Sequence, residues 1–282
     1  MGQSYEWKIL NGEVIKMPPY IVVGILNVTP DSFFDGGKYL DKEKAISGVK
    51  EMVEHGADII DIGGESTRPF SKRICAEEEM RRVMPVLQWT VENFKDIVVS
   101  VDTYKAVVAE EALKKGAKII NDVSACRFDP DLLDIICEYK PGYVLMHSKG
   151  RPEDMQKDPR YEDVVSELMN FFEQNLKKLT TSGLPEQNIV IDPGIGFGKT
   201  LEHNLVILQN IEKFFELGRP VYMGLSNKSI WEKLLGLPKE DRETATQVAT
   251  ALLANRGVYI HRVHDVKKTK DTLKIVEAFK SV

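Results

Sequence analysis

Eight short apolar runs punctuate the chain: Ile21–Leu26, Asp58–Ile62, Ile97–Val101, Lys118–Asn121, Tyr143–Met146, Ile189–Asp192, Val221–Gly224 and Tyr259–Val263. Each is too short for a typical globular helix. Each is nearly continuous apolar sequence, the pattern of a parallel strand buried on both faces. Between the runs the period changes. Ala45, Ile46, Val49, Met52 and Val53 fall on one helical face, and so do Val164, Val165, Leu168, Phe171, Phe172 and Leu179. Alternating strands and helices predict a parallel sheet with right-handed crossovers. Eight such units favour an α/β fold closed into a (β/α)8 barrel, with an open doubly wound sheet as the alternative. Ahead of the first run, Asn11-Gly12 lies between Trp7-Lys8-Ile9-Leu10 and Val14-Ile15, which predicts a short N-terminal β-hairpin.

Glycine and proline are spread evenly and no low-complexity linker divides the sequence. Residues 1–282 are therefore expected to form a single domain, a hairpin over 1–20 and a barrel over 21–282. A barrel commonly takes about 250 residues as one domain. Hydrophobic residues make up 43% and charged residues 29%, enough for a large core and against disorder. A net charge of −5 argues against nucleic acid or an anionic membrane as the main partner, without excluding a local basic pocket. The cysteines, Cys75, Cys126 and Cys137, are odd in number and form no CxxC, so a disulfide framework or zinc site is not expected. Met1–Leu10 has no apolar leader core, and no run approaches the ~18 apolar residues of a membrane span. A cytoplasmic protein is the expectation.

In such a barrel the strand ends and the loops after them form the active-site face. The first strand runs into Asn27-Val28-Thr29-Pro30-Asp31-Ser32-Phe33, and the second into Gly63-Gly64-Glu65-Ser66-Thr67-Arg68-Pro69. The next three end at Asp102-Thr103, Asn121-Asp122 and Met146-His147. The last three lead to Asp192-Pro193-Gly194-Ile195-Gly196-Phe197-Gly198-Lys199, to Ser226-Asn227-Lys228 and to Arg262-Val263-His264-Asp265. Any one of these polar residues could be a helix N-cap or a satisfied buried group. Eight consecutive strands ending this way point to a shared polar pocket.

Asp102, Asn121, Asp192 and Lys228 offer carboxylates, an amide and an ammonium. A carboxylate takes paired N–H donors, an amide donates and accepts, and a lysine donates to a carbonyl. The set suits a pterin or guanine-like ring, and equally a sugar or an amino acid. A second group, Asn27, Thr67, Arg68, Arg262 and His264, suits an oxyanion, helped by helix N-termini. Asn27 could also give an oxygen to Mg²⁺. The bland readings are a structural histidine for His264 and an ion pair with Asp265 for Arg262. Gly198-Lys199-Thr200 ends like a phosphate-binding P-loop, but the required upstream glycine is Pro193, so that motif fails. The glycines here instead permit a tight turn and a close backbone approach.

Several segments together resemble the dihydropteroate synthase family. They are Gly24–Phe33, Asp61–Pro69, Ser100–Thr103, Asn121–Ser124, Asp192–Lys199 and Arg262–Asp265, in the expected order from about Ile21 onward. The resemblance implies that 6-hydroxymethyl-7,8-dihydropterin pyrophosphate is joined to p-aminobenzoate, with release of pyrophosphate and with help from Mg²⁺. By position it implies that Asp102, Asn121, Asp192 and Lys228 hold the pterin, and that Asn27 meets Mg²⁺ and pyrophosphate. Arg262, His264, Thr67 and Arg68 would bind the diphosphate; Phe33, Ser226 and Lys228 would line the p-aminobenzoate site. Asp102, Lys228 and Arg262 would carry the chemistry. A homodimer is implied by the family alone. The chain departs from the usual pattern at Phe34, Phe70, Asn227 and Ser148-Lys149, mostly in loops on the p-aminobenzoate side. Two other readings compete: a catalytically silent pterin-binding paralogue, and a pterin-dependent methyltransferase barrel, which would not need an Arg-x-His clamp.

Overall fold

The computed structural model describes residues 4–29, 38–66, 71 and 73–280. A two-stranded antiparallel hairpin, β1 (Tyr5–Lys8) with β2 (Val14–Met17), precedes eight parallel strands. These are β3 (Ile21–Asn27), β4 (Ile59–Gly63), β5 (Val98–Asp102), β6 (Ile119–Asp122), β7 (Gly142–Met146), β8 (Ile189–Asp192), β9 (Tyr222–Gly224) and β10 (Ile260–Val263). Helices α1 (Lys38–Glu54), α2 (Ala76–Asn93), α3 (Ala106–Lys114), α4 (Leu132–Tyr139), α5 (Val164–Thr181) and α6 (Leu201–Gln209) follow successive strands from β3 to β8. After β9 come α7 (Ile230–Leu235) and α8 (Glu243–Asn255), and α9 (Val266–Lys280) follows β10.

The sheet order is β8-β7-β6-β5-β4-β3-β10-β9, and the seam between its ends is closed by the bridge Ile191↔Val221. The barrel expected from the apolar runs is therefore the fold. Each predicted strand is present within a residue or so of its bounds. Val221 lies just outside β9 and makes the closing bridge. On α1, Ala45 and Val49 are fully buried; on α5, Val164, Val165, Leu168, Phe172 and Leu179 are buried. Asp163 caps α5 by accepting from Val165 N and Ser166 N. No helix among the described residues is long and apolar enough to cross a membrane.

The predicted hairpin turns through a one-turn 3₁₀ segment at Leu10–Gly12, with Asn11 at φ 63° and Gly12 at φ 74°. Left-handed backbone favours Asn and Gly, so this dipeptide fits the turn. The hairpin seals the N-terminal end of the barrel. Trp7 is fully buried and donates its indole N–H to Asn188 O at 2.8 Å. Trp7 and Ile9 press so closely on β7 that a Cβ at Gly142 would come within 2.8 Å of Ile9. At this same end Tyr5 and Tyr20 both pack against Tyr259, with ring centroids 6.2 and 5.7 Å away. Lys280, ending α9, donates to Tyr20 Oη and Ala254 O.

Candidate functional site

The opposite end of the barrel carries the charges. Arg262, on β10, donates Nε–H to Asp61 Oδ2 and Nη2–H to Asp102 Oδ2, each at 2.7 Å. Asp61 is fully buried in β4 and also accepts from Ser100 Oγ at 2.6 Å and Asn121 Nδ2 at 2.9 Å. One guanidinium thus serves two carboxylates. Burial opposes the charge on Arg262, but Asp61 and Asp102 outweigh it and raise its pKa above the ordinary guanidinium value. Burial pushes the Asp102 carboxyl up to about 7; Arg262 pulls it down, and the charges of Asp61, Glu79 and Asp122 add to the rise.

Asp192 and Lys228 lie beside this floor. Burial raises the pKa of Asp192, offset by the Gly194 N–H it accepts at 2.7 Å and by the charge of Lys228. Burial lowers Lys228 to about 8, with Asp192 holding it up. The Lys228 ammonium stands 4.1 Å above the centre of the Phe197 ring. Asp102, Asn121, Asp192, Lys228 and Arg262 enclose a narrow slot whose apolar walls include Val123, Met146, Ile195 and Phe197. The slot, about 20 Å³ in volume, therefore sets carboxylate, amide, ammonium and guanidinium groups against apolar walls.

An outer chamber of about 380 Å³ shares Phe197, Gly224, Lys228 and Arg262 with the slot. Asn27 and Thr29 from the end of β3, Ser66, Met155 and the turn 226–229 line it, with His264, Lys239 and Arg242. Ser226 and His264 touch: Oγ and Nδ1 are 2.9 Å apart, and His264 N–H donates to Ser226 Oγ at 3.1 Å. Arg242 is buried and already occupied, donating to Asn227 O, Leu237 O and Glu232. Asn227 sits in left-handed backbone at φ 56°.

The sequence-predicted residues Asn27, Asp102, Asn121, Asp192, Ser226, Lys228, Arg262 and His264 thus meet around one cleft. Phe33, Thr67 and Arg68, and the departures Phe34 and Phe70, lie outside the described residues. The suggested ion pair between Arg262 and Asp265 is not the one formed. Asp265 pairs with Lys268 at 2.8 Å, because β10 aims Arg262 inward toward Asp61 and Asp102. Sequence reasoning missed Asp61 as a site residue, although a carboxylate between Ile60 and Ile62 in a buried strand was the available signal. Met155 and Phe197 were also missed as walls, since apolar loop residues carry no such mark. Among the described residues no group of three or more His, Cys, Asp or Glu side chains could hold a metal ion.

A parallel barrel whose strand ends gather carboxylates, an amide and cations around a slot that opens into a wider chamber has the form of a small-molecule enzyme. Comparison with known proteins sharpens that class. Residues 23–264 match the pterin binding enzyme family. Dihydropteroate synthase of Bacillus subtilis is 43% identical over 258 residues, covering 92% of this chain and 88% of that protein. The Xanthomonas albilineans dihydropteroate synthase structure with 4-aminobenzoic acid has a TM-score of 0.91 at 39% identity, covering 98% of this chain and 99% of that one. The same enzyme in complex with 7,8-dihydropteroate gives a TM-score of 0.87 at 37% identity, covering 97% and 99%. The chain belongs to the pterin-binding enzyme family and, within it, to the dihydropteroate synthases, which are transferases.

Proposed function

We propose that the inner slot holds the pterin of 6-hydroxymethyl-7,8-dihydropterin pyrophosphate and that the outer chamber holds its diphosphate and p-aminobenzoate. The observation that carries this reading is the continuity of the cleft: Phe197, Gly224, Lys228 and Arg262 wall both compartments. In the slot, the Asp192 carboxylate accepts paired N–H donors of the ring. Asn121 donates and accepts, and Lys228 donates to the ring carbonyl. Asp102 lies against Arg262 where the slot meets the chamber.

The reaction breaks the C–O bond to the diphosphate and forms a C–N bond to the amine, whose surplus proton goes to solvent. Positive charge develops on the pterin methylene and negative charge on the leaving diphosphate. Asp102 stabilises the first. Arg262, whose Nη1 makes no hydrogen bond among the described residues, and His264 meet the second, with Thr67 and Arg68, which follow β4 in sequence. An aromatic amine is already a neutral nucleophile, so no strong general base is needed. Ser226 and Lys228 orient p-aminobenzoate, with Phe33, which follows β3 in sequence.

Asn27 would hold Mg²⁺. A lone amide oxygen at the cleft fits an ion that keeps waters and arrives on phosphate oxygens, rather than one caged by protein carboxylates. When bound, Mg²⁺ neutralises charge on the leaving diphosphate.

We further infer a homodimer: α8 and α9 pack side by side and leave Val248, Leu252, Ile275 and Phe279 exposed, an apolar surface that a second copy would cover. Unpaired cysteines fit a reducing cytoplasm.

The test is pyrophosphate release from dihydropterin pyrophosphate with Mg²⁺, with and without p-aminobenzoate. Release that requires p-aminobenzoate and yields dihydropteroate is expected. A protein that binds the pterin but forms no product would overturn the reading.

A further inference from the structure

Lys199 ends the run of glycines whose tail resembles a phosphate-binding loop, and nothing assigned so far uses it. It is only 1% exposed, so it cannot reach a phosphate in the cleft. Its Nζ lies 2.9 Å from Gly194 O, 3.0 Å from Phe197 O, 3.3 Å from His147 O and 3.0 Å from His147 Nδ1. Four acceptors converging on one nitrogen suit an ammonium, which has three protons to give, and not a neutral amine, whose lone pair would face them. Among the described residues no carboxylate lies within ion-pair distance of it. A buried charge held this way is costly unless its surroundings compensate it.

What the ammonium ties together is the ring site. Gly194 and Phe197 belong to the loop that follows Asp192, and His147 follows β7. The two segments are pressed so closely that a Cβ at Gly194 would stand 1.9 Å from His147 O, and one at Gly198 2.4 Å from Lys149 O. Gln156 Nε2 donates to Gly196 O and Tyr161 Oη to Gly198 O, which fix the same loop from outside. Phe197 is the ring beneath Lys228, and Gly194 donates its N–H to Asp192.

We propose that Lys199 is a positioning residue for pterin recognition: its buried ammonium pins the Asp192–Phe197 loop to the end of β7 and supplies positive charge behind the Asp192 carboxylate. The inference rests on the assignment of Asp192 to the pterin and deepens it. The charge on Asp192 is favoured by Lys228 from the turn after β9, by Arg262 from β10 and by Lys199. Lys199 itself faces Asp192, Lys228, Arg127 from the connection after β6, Lys149 from the connection after β7, and His147. Burial and these cations lower His147 to about 2, so the imidazole is neutral and accepts. Burial also lowers Lys199 to about 7, against the pull of Asp192. Removing the ammonium makes the Asp192 carboxylate harder to ionise, so ring binding then fails at a higher pH than in the native protein.

The test uses the fluorescent probe 6-hydroxymethylpterin, titrated against the full chain from about pH 4, the ordinary aspartate range, up to about pH 7.5, because burial moves the Asp192 carboxyl upward from that ordinary value. Lys199→Met removes charge and donors; Lys199→Gln keeps a donor without charge and serves if the methionine variant does not fold. We expect about 10-fold weaker probe binding near pH 6, of the order of one lost charge-assisted hydrogen bond. The acid limb of affinity should move upward in pH in both variants. KM for the pterin substrate should rise with it, while KM for p-aminobenzoate holds. An acid limb and affinity equal to the native protein's in a folded variant would overturn the proposal, as would a loss of affinity with an unmoved limb. Asp192→Asn distinguishes the layer beneath. If it leaves probe affinity unchanged, the ring assignment itself fails, whatever Lys199 does.

Discussion

The two ends of the barrel solve opposite problems. At the N-terminal end a hairpin supplies Trp7, Ile9 and Met17 as a fully apolar seal, and the one indole N–H buried there is spent on Asn188 O. At the C-terminal end Asp61, Asp102, Asp192 and Lys199 are buried beside the half-buried Arg262, and their hydrogen bonds run to polar side chains around them and to backbone. The first end stabilises the fold by removing apolar area from water. The second holds charges at a cost in stability, because a preorganised polar pocket acts on ligand charge without reorganising. Stability and recognition are therefore expected to separate along the barrel axis.

Replacing Asp192 by alanine gives the largest effect on recognition. The two charge-assisted hydrogen bonds to the pterin proposed for it, about 1.5–3 kcal/mol each, amount to at least ~100-fold in affinity. Calorimetry with a pterin lacking diphosphate should show it, while the thermal midpoint moves little. Trp7→Ala is the mirror image: a cavity of that size costs about 3–5 kcal/mol of folding stability, read by denaturant unfolding. Its KM values should stay native, and a large rise in KM for the pterin would break the separation of the two ends.

The next effect is on pH. In the role proposed for it, Asp102 stabilises a cation only when ionised, so kcat/KM should rise with pH through about 7. The sign for stability is opposite. A carboxyl whose folded pKa lies above its unfolded value binds more protons when folded, so its contribution to stability falls as pH rises from about 4 to about 7. Asp102→Asn should therefore raise the thermal midpoint more at about pH 8 than at about pH 4, and flatten the acid limb of the residual activity. The smallest effect is at the rim. Lys239 is exposed and lines the outer chamber, so in the proposed placement of p-aminobenzoate its ammonium would meet the carboxylate. Lys239→Ala should raise KM for p-aminobenzoate up to ~5-fold, the value of an exposed ion pair, and the effect should shrink with salt. An unchanged KM at low salt would remove Lys239 from the site.

The fold was legible because burial on both faces leaves little choice of residue: the runs from Ile21 to Val263 needed no tertiary knowledge. The strand-end residues of the site were legible for the related reason that a barrel gathers them. What was illegible depends on contacts distant in sequence. Arg262 finds Asp61 and Asp102 across 201 and 160 residues, so the nearby Asp265 looked the better partner. Trp7 finds Asn188 across 181 residues, and nothing local says that the hairpin closes the barrel. Lys199 stood in a motif that failed as a phosphate loop, and only the approach of Gly194 to His147 shows where its ammonium goes.

The meeting of Tyr5, Tyr20, Tyr259 and Lys280 at the sealed end has a practical consequence. Both described ends of the chain emerge on the side away from the cleft. A tether, tag or fused partner attached at either end would leave the substrate entrance pointing outward. A linker that joins the two described ends would run on the sealed side, away from the cleft.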